Sequence, residues 1–150
     1  MSDAERALLL ATRARIRAVL DRHGRRAATF SMIHADLHAS NVLVDRDRLA
    51  IIDFDDAGYG WHQYDIAVAL FQDYMAARRY ATVERAFLRG YRGVRALSEA
   101  DAALIPMFLL IRGLVTIGWI HQRPEVDRTQ HLVRLKDFVC AQCREITLPS

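Results

Sequence analysis

The chain is expected to fold as a mainly α-helical lobe of the α+β class carrying one small β-hairpin, and three features predict this. An apolar stripe at helical spacing runs through residues 4–23. Two short β-branched runs flank a charged turn at residues 45–48. Beyond residue 61, apolar side chains recur with a period near 3.6. A chain of 150 residues, 52% hydrophobic and 26% charged, builds one domain with an adequate core. The expected organisation is a leading helix over 1–29, a loop and hairpin over 30–60, and a helical remainder over 61–150.

In the leading helix, Leu8, Leu9, Thr12, Ile16, Val19, Leu20 and His23 share one side and arginines fill the other. Seven arginines fall within residues 6–26, and the net charge is +3. A patch for nucleic acid or an acidic membrane is one account of them. A solvated helix face is favoured, because no aromatic residues interleave the arginines to stack on bases; no nucleic-acid partner is expected. The run Leu8–Ala11 is too short for a secretory signal, and Asp3 and Glu5 precede it, so the cytoplasm is the expected location.

His34-Ala35-Asp36-Leu37-His38-Ala39-Ser40-Asn41 comes next, followed by the hairpin and then Ile51-Ile52-Asp53-Phe54-Asp55. Val42–Val44 and Leu49–Ile52 suit paired strands, with Asp45-Arg46-Asp47-Arg48 as the solvent-facing turn. Folding about residue 47 sets Asn41 opposite Asp53, and cross-strand neighbours lie about 5 Å apart. An amide oxygen and a carboxylate there suit one hard cation. Mg²⁺ takes few protein ligands and completes its shell with water and phosphate oxygens, so the pair fits a metal delivered with ATP. Asp36, in the loop entering the hairpin, is placed to orient an acceptor hydroxyl and take its proton. Singly, a loop His, Asp or Asn is more often a turn former or cap; the joint arrangement carries the argument. His34 and His38 are four apart, but Leu37 and the loop context oppose a helical zinc pair. His34 is expected to be a buried positioning residue.

In these residues the chain resembles the aminoglycoside phosphotransferase and choline kinase-like family, a branch of the protein-kinase-like fold. The resemblance rests on His34-x-Asp36-Leu37-His38-x-x-Asn41, on Ile52-Asp53-Phe54-Asp55, and on Ala57-Gly58-Tyr59-Gly60 with Tyr64-Asp65-Ile66-Ala67 beyond them. It implies that Asp36 is the catalytic base with His34 beside it, that Asn41 and Asp53 hold the metal and nucleotide, and that Asp65 braces the catalytic loop. His38 and Asp55 join Asp65 as structural support. Asp55 stands where protein kinases have the glycine of Asp-Phe-Gly, as is common among small-molecule kinases. The resemblance also implies a C-terminal catalytic lobe, with acceptors such as aminoglycosides, homoserine or choline-like amines.

The family's N-terminal β-lobe, with its phosphate loop and lysine, should precede the catalytic motif. Only 33 residues precede His34, and they form the helical stripe. The one lysine, Lys136, lies in a C-terminal helical stretch, and Gly58 and Gly60 make no phosphate-cradling pattern. The expectation is therefore a catalytic lobe with the β-lobe absent, as a truncated product or one half of a split enzyme.

The remaining helices follow from periodicity. Ile66, Leu70, Phe71 and Tyr74 mark one over 64–80, and Val83, Ala86, Phe87 and Tyr91 mark another over 82–91. Ala102–Ile120 is apolar over 19 residues, with Arg112 its only charge. Pro106, Gly113 and Gly118 make it a poor lone membrane span, so a core helix is favoured, with a start cap from Ser98 and Asp101 and no membrane partner. Cys140 and Cys143 lack a second ligand pair for zinc and are expected to be reduced thiols beside a helix. Asp55, Asp56 and Asp73 could line a pocket for an amine, but caps and surface charges are the favoured account.

Together these features predict an ATP- and Mg²⁺-dependent phosphotransferase acting on a small-molecule hydroxyl. The absent lysine argues against activity by the chain alone. The alternatives are a binding or regulatory pseudokinase-like module, or half of a split kinase completed by a partner. Surface left bare by a missing lobe would favour a homodimer or a lobe-supplying polypeptide.

Overall fold

The computed structural model of the chain describes residues 1–123 and 129–149. The contacts divide them into two compact units, one made of residues 1–24 and 110–150, the other of residues 25–109.

In the first unit, helix α1 (Asp3–His23) opens on a capping box: Ser2 Oγ accepts from the Glu5 N–H, and Glu5 Oε2 accepts from the Ser2 N–H. It stops at Gly24, whose φ of +71° a side chain would resist. Helix α6 (Thr129–Glu145) packs against it. Thr12, Ile16 and Val19 of α1 and Leu135, Val139, Cys140 and Cys143 of α6 are buried. Both cysteines are free, buried thiols, and burial pushes the pKa of each up, which favours the protonated form. Lys136 pairs with both Glu5 and Asp137.

The second unit holds two antiparallel two-stranded sheets where one hairpin was expected. Strands β1 (Phe30–Ile33) and β4 (Gly58–Trp61) pair Phe30 with Trp61 and Ile33 with Gly58. Gly60 allows the close approach, since a Cβ there would fall 2.3 Å from Ile33 Cδ1. Strands β2 (Val42–Asp45) and β3 (Arg48–Ile51) form the hairpin, closed by the two residues Arg46 and Asp47. Its register sets Val42 against Ile51, so the Ile52 N–H reaches the Asn41 carbonyl at 3.0 Å. Asn41 therefore faces Ile52, and Asp53 lies one residue beyond the expected position, because the turn centres between Arg46 and Asp47 instead of on Asp47.

Helix α2 (His62–Ala76) packs against β1, β4 and helix α3 (Tyr80–Val94). It buries Ile66, Ala67, Val68, Leu70 and Phe71, and each of the four larger side chains is worth about 1.5–3 kcal/mol by the area removed from water. The expected core helix is broken in two. Ser98 caps a single-turn α4 (Glu99–Ala102) by accepting from the Asp101 N–H, and α5 (Ile105–His121) follows after Ala103 and Leu104. Asp101 also accepts from Ser98 Oγ and from Arg26 at 2.7 Å, which ties the start of α4 to the segment before β1. Among the described residues, Glu99–His121 is the one stretch long and apolar enough to cross a membrane; Leu104, Ile105, Met107, Phe108 and Leu109 within it are buried in the protein.

Candidate active site

The loop between β1 and β2 is held from three directions. From α2, Asp65 accepts two backbone N–H groups, that of His34 at 2.9 Å and that of Ala35 at 2.7 Å. A carboxylate answering two adjacent amides fixes the peptide plane between them, and such charge-assisted bonds are worth about twice neutral ones. Ala35 can then sustain a φ of +65°, a conformation that costs a non-glycine residue on the order of 1 kcal/mol. Nothing in the residue type signals this kink. Only the grip of Asp65 accounts for it.

From within the loop, His34 joins the two motif segments. Its Nε2–H donates to the Ile52 carbonyl at 2.9 Å, while Nδ1 accepts the Asp36 N–H at 3.3 Å. The carbonyl can only accept and the amide can only donate, which assigns the neutral Nε2–H tautomer. His34 is buried, with the Phe54 ring tilted against it at 4.5 Å between centroids.

From the hairpin mouth, Asn41 Nδ2 donates to the Asp36 carbonyl at 3.0 Å, and the His38 N–H reaches the same oxygen at 2.8 Å. With its nitrogen committed, the buried Asn41 amide has Oδ1 as the atom a cation would take. Asp53, two residues beyond the end of β3, has a φ of +65°. Its side chain is exposed. Asp36 and Asn41 are thus joined directly, and His34 links the Asp36 amide to the carbonyl of Ile52, the residue before Asp53.

His38 and Asp55 fare differently as supports. His38 Nε2 lies 3.4 Å from Asp36 Oδ2, and its Nδ1 is buried without a hydrogen-bond partner among the described residues. Asp55 is exposed and makes no hydrogen bond or ion pair among them. With Asp56 it forms the turn closed by the Ala57 N–H on the Phe54 carbonyl at 3.0 Å. Among the described residues, Asp55 thus makes no contact that would brace the loop. The hairpin itself is bare: Leu43, Val44, Leu49, Ile51, Ile52 and Phe54 are all exposed.

A family model described as "Phosphotransferase enzyme family" matches residues 1–100. The chain belongs to this phosphotransferase family. Amicoumacin kinase of Bacillus subtilis is 32% identical over 102 residues, which cover 62% of this chain and 30% of that protein. A homoserine kinase of Bradyrhizobium diazoefficiens is 38% identical over 116 residues, covering 71% and 33%. Among solved structures, a microcompartment-associated aminopropanol kinase superposes with a TM-score of 0.77 at 28% identity, over 95% of this chain and 44% of that one. The amicoumacin kinase hAmiN, in complex with AMP-PNP, Ca²⁺ and Ami, superposes with a TM-score of 0.72 at 25% identity, over 95% and 46%. The chain thus spans about a third of the curated phosphotransferases it matches, and its fold is that of one part of a kinase-like protein.

Proposed function

We propose that the chain carries the catalytic loop of an ATP- and Mg²⁺-dependent kinase that phosphorylates a hydroxyl on a small, amine-bearing molecule. The supporting observation is the double bridge at the loop: Asn41 holds the Asp36 carbonyl while His34 spans from the Asp36 N–H to the Ile52 carbonyl. Such bridges would hold loop and metal segment as one piece before any substrate arrives, and preorganisation of this kind lets positioned groups act without reorganising.

Asp36 would accept the proton of the acceptor hydroxyl as its oxygen attacks the γ-phosphorus. The bond to the bridging oxygen of ADP breaks as the new one forms. Asn41 Oδ1 and the Asp53 carboxylate would hold Mg²⁺, and two hard oxygen donors at an open position suit an ion that arrives with phosphates and water. The metal would neutralise charge on the phosphate oxygens. Homoserine, aminopropanol and amicoumacin kinases among the relatives support an amino alcohol as the acceptor class.

A second reading rests on the bare hairpin. Leu49 is 72% and Val44 69% exposed, which suits a second copy or a lobe-supplying polypeptide laid over this face before nucleotide binds well. Calorimetry with Mg²⁺-ATP on the chain and on Asp53→Ala tests the first reading. Heat lost only in the variant supports the metal assignment, and no heat in either removes nucleotide binding by the chain alone. Sedimentation at increasing concentration tests the second, which a monomer throughout would overturn.

A further inference from the structure

Helix α3 is strongly two-sided, with Val83, Phe87 and Tyr91 along its apolar face, yet none of its residues is buried. That face borders a cleft of about 740 Å³, a volume within the range of small-molecule sites. Leu37, Ile66, Phe87 and Tyr91 supply apolar walls, with His62, Asp65 and Arg95 as the ionisable groups. Asp36, Asn41 and Asp53 do not line it.

The charges around the cleft are unequal in availability. Each Asp65 oxygen already accepts a backbone N–H of the catalytic loop. His62 is buried, with Nε2 2.7 Å from Ser31 Oγ, and burial together with the nearby Arg95 cation holds its pKa below the usual imidazole value, so it is neutral at pH 7. The Arg95 guanidinium makes no ion pair or hydrogen bond among the described residues. Tyr91, four residues earlier, has a hydroxyl without a described partner, and burial raises its pKa, so it stays a neutral donor.

We propose that this cleft binds a small molecule with an apolar body and one carboxylate, the carboxylate taken by Arg95 and the Tyr91 hydroxyl and the body laid against Leu37, Ile66 and Phe87. An arginine fork matches a carboxylate in shape and charge, and the aromatic faces suit a flat or aliphatic body. The occupant would touch Asp65, the residue that anchors His34 and Ala35.

The test titrates the full chain by calorimetry with 4-phenylbutyrate, 4-phenylbutylamine and 4-phenylbutanol, which share one body and differ in charge. The acid should bind saturably and about tenfold tighter than the amine or alcohol, as one charge-assisted contact of about 1.4 kcal/mol would give. Arg95→Gln should erase that preference and Arg95→Lys restore part of it. A Cβ at Gly90, which borders the cleft, meets no heavy atom within 4 Å. Gly90→Leu should therefore fill the space, improve helix propensity and abolish binding of all three probes. If Gly90→Leu misfolds by circular dichroism, Arg95→Gln decides alone. Absence of saturable binding, tightest binding of the amine, or a preference for the acid that survives Arg95→Gln would overturn the proposal.

Discussion

The α1–α6 helix pair and the β2–β3 hairpin use apolar residues in opposite ways. In the pair, the apolar side chains are sealed: Leu135 has no exposed surface and Val139 has 1%. Both ends of α1 are capped, and Glu5 and Lys136 join the two helices by an ion pair. In the hairpin every residue of β3 is exposed, and a lone two-stranded ribbon is marginal in water. Beside it, Ala35 and Asp53 hold left-handed backbone that regular structure avoids. One region devotes its residues to stability, while the other leaves apolar surface exposed and holds strained backbone beside bonds from Asp65 and His34.

That contrast would break first at Leu135. Leu135→Ala should cost about 2–5 kcal/mol in urea unfolding, since a sealed site cannot collapse around the lost volume; a loss under 1 kcal/mol would show the pair to be loosely packed. A smaller effect is expected at Asp65→Ala, which removes the acceptor of two amides and should cost about 2–3 kcal/mol. The same change should shift the His34 ring resonances, because the loop that orients the imidazole is released. Unmoved His34 signals would mean that the loop is held by other groups.

Smaller again is the effect of pH on Glu5. The hydrogen bond from Lys136, with that from the Ser2 amide, holds its pKa at about 2 against 4.5 for the free group. A depressed carboxylate pKa stabilises the fold fully above about 4.5, and this contribution fades as pH falls toward 2. Urea midpoints of the native chain and of Glu5→Gln should therefore differ at pH 6 and converge by pH 2. A constant offset across that window would place the effect elsewhere. The smallest change in stability is expected at Leu49→Ser, within about 0.5 kcal/mol, because the side chain is already in water. Its consequence should instead be weaker self-association by sedimentation, and equal association of both proteins would remove the hairpin from any interface.

Much of this was legible in the residues. The stripe of Thr12, Ile16 and Val19 marked α1, and β-branched runs around a charged turn marked the hairpin, because these signals depend on neighbours close in sequence. The motifs around Asp36, Asn41 and Asp53 pointed to the phosphotransferase family for the same reason. The β1–β4 sheet escaped notice because Phe30-Ser31-Met32-Ile33 and Gly58-Tyr59-Gly60-Trp61 are short and far apart in the chain, and neither run signals a partner. The register slipped by one residue, since the composition of Asp45–Arg48 does not say which two residues turn.

Sequence alone determined the helical character, the hairpin and the family, since each is written in local periodicity or in a motif of fixed spacing. Tertiary structure decided the tautomer of His34, the kinks at Ala35 and Asp53, the solvent-facing place of Asp55, and the cleft beside α3. Each of these depends on which distant groups meet: two amides on one carboxylate, an imidazole on a carbonyl, a helix face beside the catalytic-loop strand. Such meetings are set by the energy of the whole packed chain, and no short window of residues contains it.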